Sequence, residues 1–188
     1  MKKLYLLALL ALCFTSCSPY LPIPREYLTR ETMCLLQTKA TNEILREHEK
    51  YAREKYGLEL SGDPEIRMNE KVCQVTVYFK SRRKVELDEA RKIYLDVFCS
   101  LLNRFNNHPY YREYMEDYPF TEKNVRLQLG YYDENGSGYE NPYIRVVSNR
   151  FEEANCIEFY RKEQRIKDEP YLKETFEEAG QKIKEAVR

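Results

Sequence analysis

The chain is 188 residues long, with 31 lysines and arginines against 31 aspartates and glutamates, a formal net charge of +0. A balance this even provides no basic field for a phosphate backbone, so nucleic acid is excluded as an expected partner. The length fits one domain with an adequate core, and 17 tyrosines with 8 phenylalanines and no tryptophan mean that many buried rings carry a hydroxyl needing a hydrogen-bond partner.

The chain starts MKK and continues LYLLALLALCF. A positive start followed by about eleven mostly apolar residues fits the central region of a secretory signal and is too short for a membrane span. Phe14-Thr15-Ser16-Cys17 then sets small side chains immediately before a cysteine. This stretch resembles the lipobox of bacterial lipoproteins, with Phe14 where that family usually has leucine. The resemblance implies a signal peptide over residues 1–16, cleavage before Cys17, and diacylglycerol carried on the Cys17 sulfur, the nucleophile that takes the lipid. Cys13 does not fit, because Leu12 occupies the position that should be small.

The expected location follows from that cysteine. It is the bacterial cell envelope, with the membrane as partner through the N-terminal lipid. Ser18 stands where an aspartate would suggest inner-membrane retention in some bacteria, so the outer membrane is favoured. Residues 17–24, with Pro19, Pro22 and Pro24, read as an extended tether reaching on the order of 20 Å at polyproline spacing. Residues 25–188 are expected to form a single domain. Of the cysteines beyond the anchor, Cys34, Cys73, Cys99 and Cys156 form an even set in an exported protein and allow three disulfide pairings. Buried free thiols are the alternative.

From Pro24 to Tyr56 the composition predicts one long helix with a thin stripe through Met33, Leu36, Ala40, Ile44 and Tyr51, lying on the surface with one side wet. His48 reads as a solvated residue of that helix. LELS and VCQVTVYFK follow as strands. In the second, Cys73, Val75, Val77 and Phe79 share one face and Gln74, Thr76, Tyr78 and Lys80 the other. KSRRK, residues 80–84, is either a solvated turn or a contact for anionic headgroups or an acidic partner. A second helix is predicted from Glu86 to Phe105, with a broad stripe through Leu87, Ala90, Tyr94, Val97, Phe98, Leu101 and Phe105.

An insert rich in proline and tyrosine comes next, in which Pro109 can open a short helix and Pro119 end it. His108 reads as a loop residue near the cap of that helix. Tyr110, Tyr111, Tyr114, Tyr118 and Phe120 crowd the insert. They are the candidate protein-binding residues, since rings with a polar tip on a supported loop suit recognition, and they equally suit closing one end of the core.

VRLQLGYYD, PYIRVVSN and CIEFYRK look like three strands. Between the first two, Asp133, Asn135, Ser137 and Gly138 occupy positions 1, 3, 5 and 6 of a calcium loop. Position 12, which should be a bidentate glutamate, is Ile144. Asn135-Gly136 is a hairpin signal in its own right, so a plain hairpin loop is expected there. YLKETFEEAGQKIKEAV closes the chain as a helix with Leu172, Phe176, Ala179, Ile183 and Val187 in its stripe. The order of elements predicts an α+β fold, a mainly antiparallel sheet with helices packed on one face and a long N-terminal helix.

The runs VYFKSRRKVELDEARKIYLDVFCSLLNRFNNH, YREYMEDYPFTEKNVRLQL and LKETFEEA resemble a group of small uncharacterised bacterial proteins, many of them lipoproteins or secreted. The shared features are Glu89-Ala90-Arg91, an asparagine before a short helix, the Tyr118–Thr121 turn and Glu177-Glu178-Ala179. The resemblance implies a fold and no mechanism. The sequence has no nucleophile elbow, phosphate-binding glycine loop or metalloprotease helix. Hence no catalytic residue, metal, cofactor or small-molecule substrate is expected. The expectation is a membrane-anchored envelope lipoprotein acting as a non-catalytic protein-interaction module. An enzyme or small-ligand binder with a site assembled from scattered residues is the alternative.

Overall fold

The computed structural model describes residues 29–109, 111–164 and 169–186. Cys17, the segment 1–16 and the tether lie outside the described residues. The chain divides into two units, Met1–Met33 and Cys34–Arg188, and the second carries the sheet.

Helix α1 runs over Arg30–Tyr56, β1 over Glu59–Leu60, β2 over Glu65–Met68, β3 over Val72–Ser81 and α2 over Leu87–Asn107. After a 3-10 turn at Tyr111–Tyr114 come β4 (Val125–Tyr131), β5 (Val146–Asn149), β6 (Cys156–Tyr160), β7 (Leu172–Thr175) and α3 (Phe176–Ala186). The fold is therefore α+β. The strands form one seven-stranded sheet in the order β1-β3-β4-β5-β6-β7, with β2 also pairing β3. All pairings are antiparallel except β3 with β4. That exception follows from the connection, since the chain leaves β3, crosses through α2 and the insert, and returns in the same direction.

Register sorts the strand residues onto the two faces of the sheet, and both faces carry buried residues. Leu60, Phe79, Leu129, Val147, Phe159 and Leu172 stand side by side in one row across six strands, and the four central members are buried. Each such ring or branched chain contributes roughly 1.5–3 kcal/mol on full burial. Because successive residues point to opposite faces, the neighbouring row Glu59, Lys80, Gly130, Val146 and Tyr160 belongs to the other face. The period of two anticipated for β3 holds in part: Val75, Val77 and Phe79 are buried and Lys80 is exposed, but Thr76 of the opposite set is buried as well and Cys73 of the apolar set is only half-buried. The stripe of α2 holds as well, from Ala90 to Phe105.

Two strands appear where none were expected. Glu65–Met68 pairs with β3, and Leu172–Thr175 pairs with β6, so the closing helix begins only at Phe176. Leu172 thus belongs to a sheet row and not to the helical stripe. Thr175 ends the strand and caps the helix, accepting the Glu178 N–H at 3.1 Å while Glu178 accepts the Thr175 N–H at 2.8 Å. This reciprocal pair is a capping box.

The dry face of α1 also differs from the thin stripe expected. Gln37, Ala40, Thr41, Ile44, Leu45, His48 and Ala52 are buried, and His48 is fully so. The expectation of a solvated His48 is therefore corrected. Its ring packs edge-on against Phe79 at 5.7 Å and beside Tyr51 at 6.0 Å, because the helix turns this residue onto the sheet. Cys34 and Cys99 are exposed free thiols, and Cys73 and Cys156 are half-buried free thiols, so these four are neither bridged nor part of the core.

Candidate functional site

The aromatic insert splits into a buried and an exposed part. Tyr111 is fully buried, packed 5.2 Å from the Phe105 ring, with its hydroxyl 2.7 Å from that of Thr41. Burial raises its pKa. Phe120 is buried against Phe105 and is held by Asn106, whose amide accepts the Phe120 N–H at 2.7 Å and donates to the Phe120 carbonyl at 2.9 Å. These two residues therefore close the end of the core and offer nothing to a partner. Tyr114 is half-buried. Tyr118 is 46% exposed, its hydroxyl donates to the Asn106 carbonyl at 3.2 Å, and the Arg112 guanidinium lies 4.7 Å from its ring centre. Tyr110 lies outside the described residues.

The fold brings together two stretches that are distant in sequence, residues 80–84 and the loop that begins at Asp133. The Tyr132 N–H donates to the Ser81 carbonyl at 3.0 Å, and the Tyr139 hydroxyl donates to the Arg82 carbonyl at 2.6 Å. Beside this seam, at the ends of β3 and β4, lies a cleft of about 480 Å³ lined by Glu59, Lys80, Arg82, Tyr132 and Glu134, with Gly57 and Gly136 in its walls. Both glycines have positive φ, +64° and +76°, the left-handed region that admits glycine readily. The Tyr132 ring lies directly on Gly130, where a Cβ would come within 2.3 Å of its Cε2.

Charges around the cleft are unequally engaged. Asp133 Oδ1 accepts the N–H groups of Asn135 and Ser137, each at 2.9 Å. Its carboxylate closes its own turn, which favours the plain loop over the calcium reading. Arg83 pairs with Glu89 at 2.5 Å, and Lys84 stands over the Tyr139 and Tyr143 rings at 5.3 and 5.7 Å. Lys80, Arg82, Glu59 and Glu134 make no ion pair among the described residues. Lys80 and Arg82 were visible in the sequence as part of KSRRK. Glu59 lay in LELS, which reads as a strand, but so short a run does not single it out as a site residue.

Other titratable groups tie elements together. Asp96 on α2 accepts hydrogen bonds from the Tyr51 hydroxyl, from Lys55 Nζ at 3.0 Å and from the Tyr56 hydroxyl at 2.9 Å. Burial works to raise its pKa, but these donors outweigh it and hold the carboxyl below its ordinary value. Arg91 on α2 grips Glu174 on β7 with two bonds, at 2.5 and 3.1 Å, and both side chains are buried. This pair gives a physical role to the arginine of the Glu89-Ala90-Arg91 step.

Among the described residues no group of three or more His, Cys, Asp and Glu side chains is placed to hold a metal, and no helix is long and apolar enough to cross a membrane. Comparison of the chain with protein-family models, with curated proteins and with solved structures returned no match.

Proposed function

We propose that this chain is a lipid-anchored protein of the bacterial envelope, with its folded domain serving as a non-catalytic protein-binding module. The observation that carries the anchor is Cys17 with Thr15-Ser16 before it, at the end of a short apolar run behind a positive start. Once the thiol is acylated and cleavage frees its amine, two or more chains give firm membrane attachment where one alone gives marginal binding. The proline-bearing segment to residue 24 then holds the domain off the bilayer, at the outer membrane in view of Ser18.

Recognition by the domain is supported by the Tyr118–Arg112 stack. Tyrosine and arginine dominate the energetics of protein interfaces, and here the guanidinium already holds the ring of an exposed tyrosine in place. Substituting Cys17→Ser should move the protein from the membrane to the soluble fraction, and an unchanged distribution would count against the anchor. Crosslinking on intact cells should capture a partner with the native chain and lose it with Tyr118→Ala and Arg112→Ala. Capture that is indifferent to both substitutions would remove this surface from the account.

A further inference from the structure

The cleft at the ends of β3 and β4 points beyond that reading and depends on neither the anchor nor Tyr118. Two cations, Lys80 and Arg82, and two carboxylates, Glu59 and Glu134, line one concavity without ion-pair partners among the described residues. Their charged neighbours are already committed: Asp133 to its own turn, Arg83 to Glu89, and Lys162 to Glu140. A ligand bearing only negative charge would meet Glu59 and Glu134, and one bearing only positive charge would meet Lys80 and Arg82. Like charges brought together disfavour both. A small molecule with one charge of each sign satisfies all four groups.

We infer that this cleft binds a small zwitterion, a free amino acid or short peptide, with its carboxylate on Lys80 and Arg82 and its ammonium on Glu59 and Glu134. Size agrees, since about 480 Å³ lies within the range of small-molecule sites. Arginine suits the carboxylate end because its planar fork pairs with two oxygens at once. Lys80 and Glu59 are register partners on neighbouring strands, so regular backbone carries one group of each sign. The Tyr132 ring, seated on Gly130, provides an apolar floor for the segment between the charged ends. The seam from Tyr132 to Ser81 and from Tyr139 to Arg82 holds the two walls in register before any ligand arrives, which limits the ordering cost of binding.

The test is calorimetric titration of the full-length protein in detergent micelles with alanylalanine, its N-acetyl form, its C-terminal amide, and glycerophosphoethanolamine. The free dipeptide should bind, and each blocked form should bind at least about tenfold more weakly. A Lys80→Ala/Arg82→Ala variant should lose the difference between dipeptide and amide. A Glu59→Gln/Glu134→Gln variant should bind the N-acetyl form as well as the free dipeptide, a pattern that misfolding does not produce. No binding of the free dipeptide, or equal binding of free and blocked forms, overturns the inference. Glycerophosphoethanolamine binding more tightly than the dipeptide overturns it too, by assigning the anionic end to a phosphate.

Discussion

Asn149 and Tyr131 are both buried polar residues of the sheet, yet they stand on opposite sides of the hydrogen-bond account. Asn149 Oδ1 accepts the Tyr94 hydroxyl at 2.8 Å and the Leu127 N–H at 2.9 Å, while its amide donates to the Val125 carbonyl at 2.8 Å. Substituting Asn149→Ala strands the Leu127 N–H and the Val125 carbonyl, while the Tyr94 hydroxyl keeps the Leu127 carbonyl at 3.2 Å, and should cost about 2–4 kcal/mol in urea unfolding. The Tyr131 hydroxyl is buried with no partner among the described residues, and Tyr131→Phe should leave stability unchanged or raise it by about 1 kcal/mol. His48 resembles Tyr131, with both ring nitrogens buried and without a hydrogen-bond partner among the described residues. Burial, with the positive charge of Arg104 adding to it and Asp96 opposing, lowers its pKa to about 3 from the usual 6.5. Between those values the unfolded chain binds the proton and the folded chain does not, so stability falls as pH drops below about 6.5, by about 1.4 kcal/mol per unit within the window. Unfolding midpoints of His48→Leu should show a shallower loss between pH 7 and pH 4 than those of the native chain (roughly the range set by the two pKa values). Parallel pH profiles would contradict this.

At the scale of elements, α2 and β7 are joined by a buried ion pair and β7 and α3 by a capping box, beside the packing of Phe176 on Phe98. Removing one member of a buried pair leaves the other charged and desolvated. Lys182 still pairs with Glu174 at 2.6 Å, so Arg91→Ala should destabilise by about 2–3 kcal/mol, below the range for a buried charge left alone, and Arg91→Met combined with Glu174→Leu should recover most of that loss. Thr175→Ala should cost about 1 kcal/mol by loss of the cap. The same elements show what could be read in advance. The alternation in β3 and the stripe of α2 were legible because each spans enough residues for a period to emerge. In Leu172–Thr175 the strand is four residues long and Leu172 falls in phase with Phe176 and Ala179 of the following helix, so a strand looks like a first helical turn. Glu65–Met68 is equally short and half charged. Gln37, Thr41 and His48 broaden the buried face of α1, but their polar side chains hide that face from a pattern based on hydrophobicity.

For the whole molecule, the α+β class followed from the order of elements, while the parallel β3–β4 pair did not, because local pattern is silent on strand direction. The cleft was out of reach for the same reason. Its charged groups come from β1, from β3 and the turn after it, and from the loop after β4, and only the sheet brings them together. Substituting Gly130→Ala should leave the fold intact while lifting the Tyr132 ring, since the ring is the movable partner in that contact; a shifted Tyr132 signal in NMR spectra with unchanged unfolding would show it. The proposed lipid anchor rests on Cys17. Intact-mass spectrometry of the mature protein purified from bacterial membranes tests that most directly. The expected mass is that of a chain starting at Cys17 and carrying a diacylglycerol group with its acyl chains. A chain cut elsewhere, or one whose Cys17 is an unmodified thiol, would contradict it.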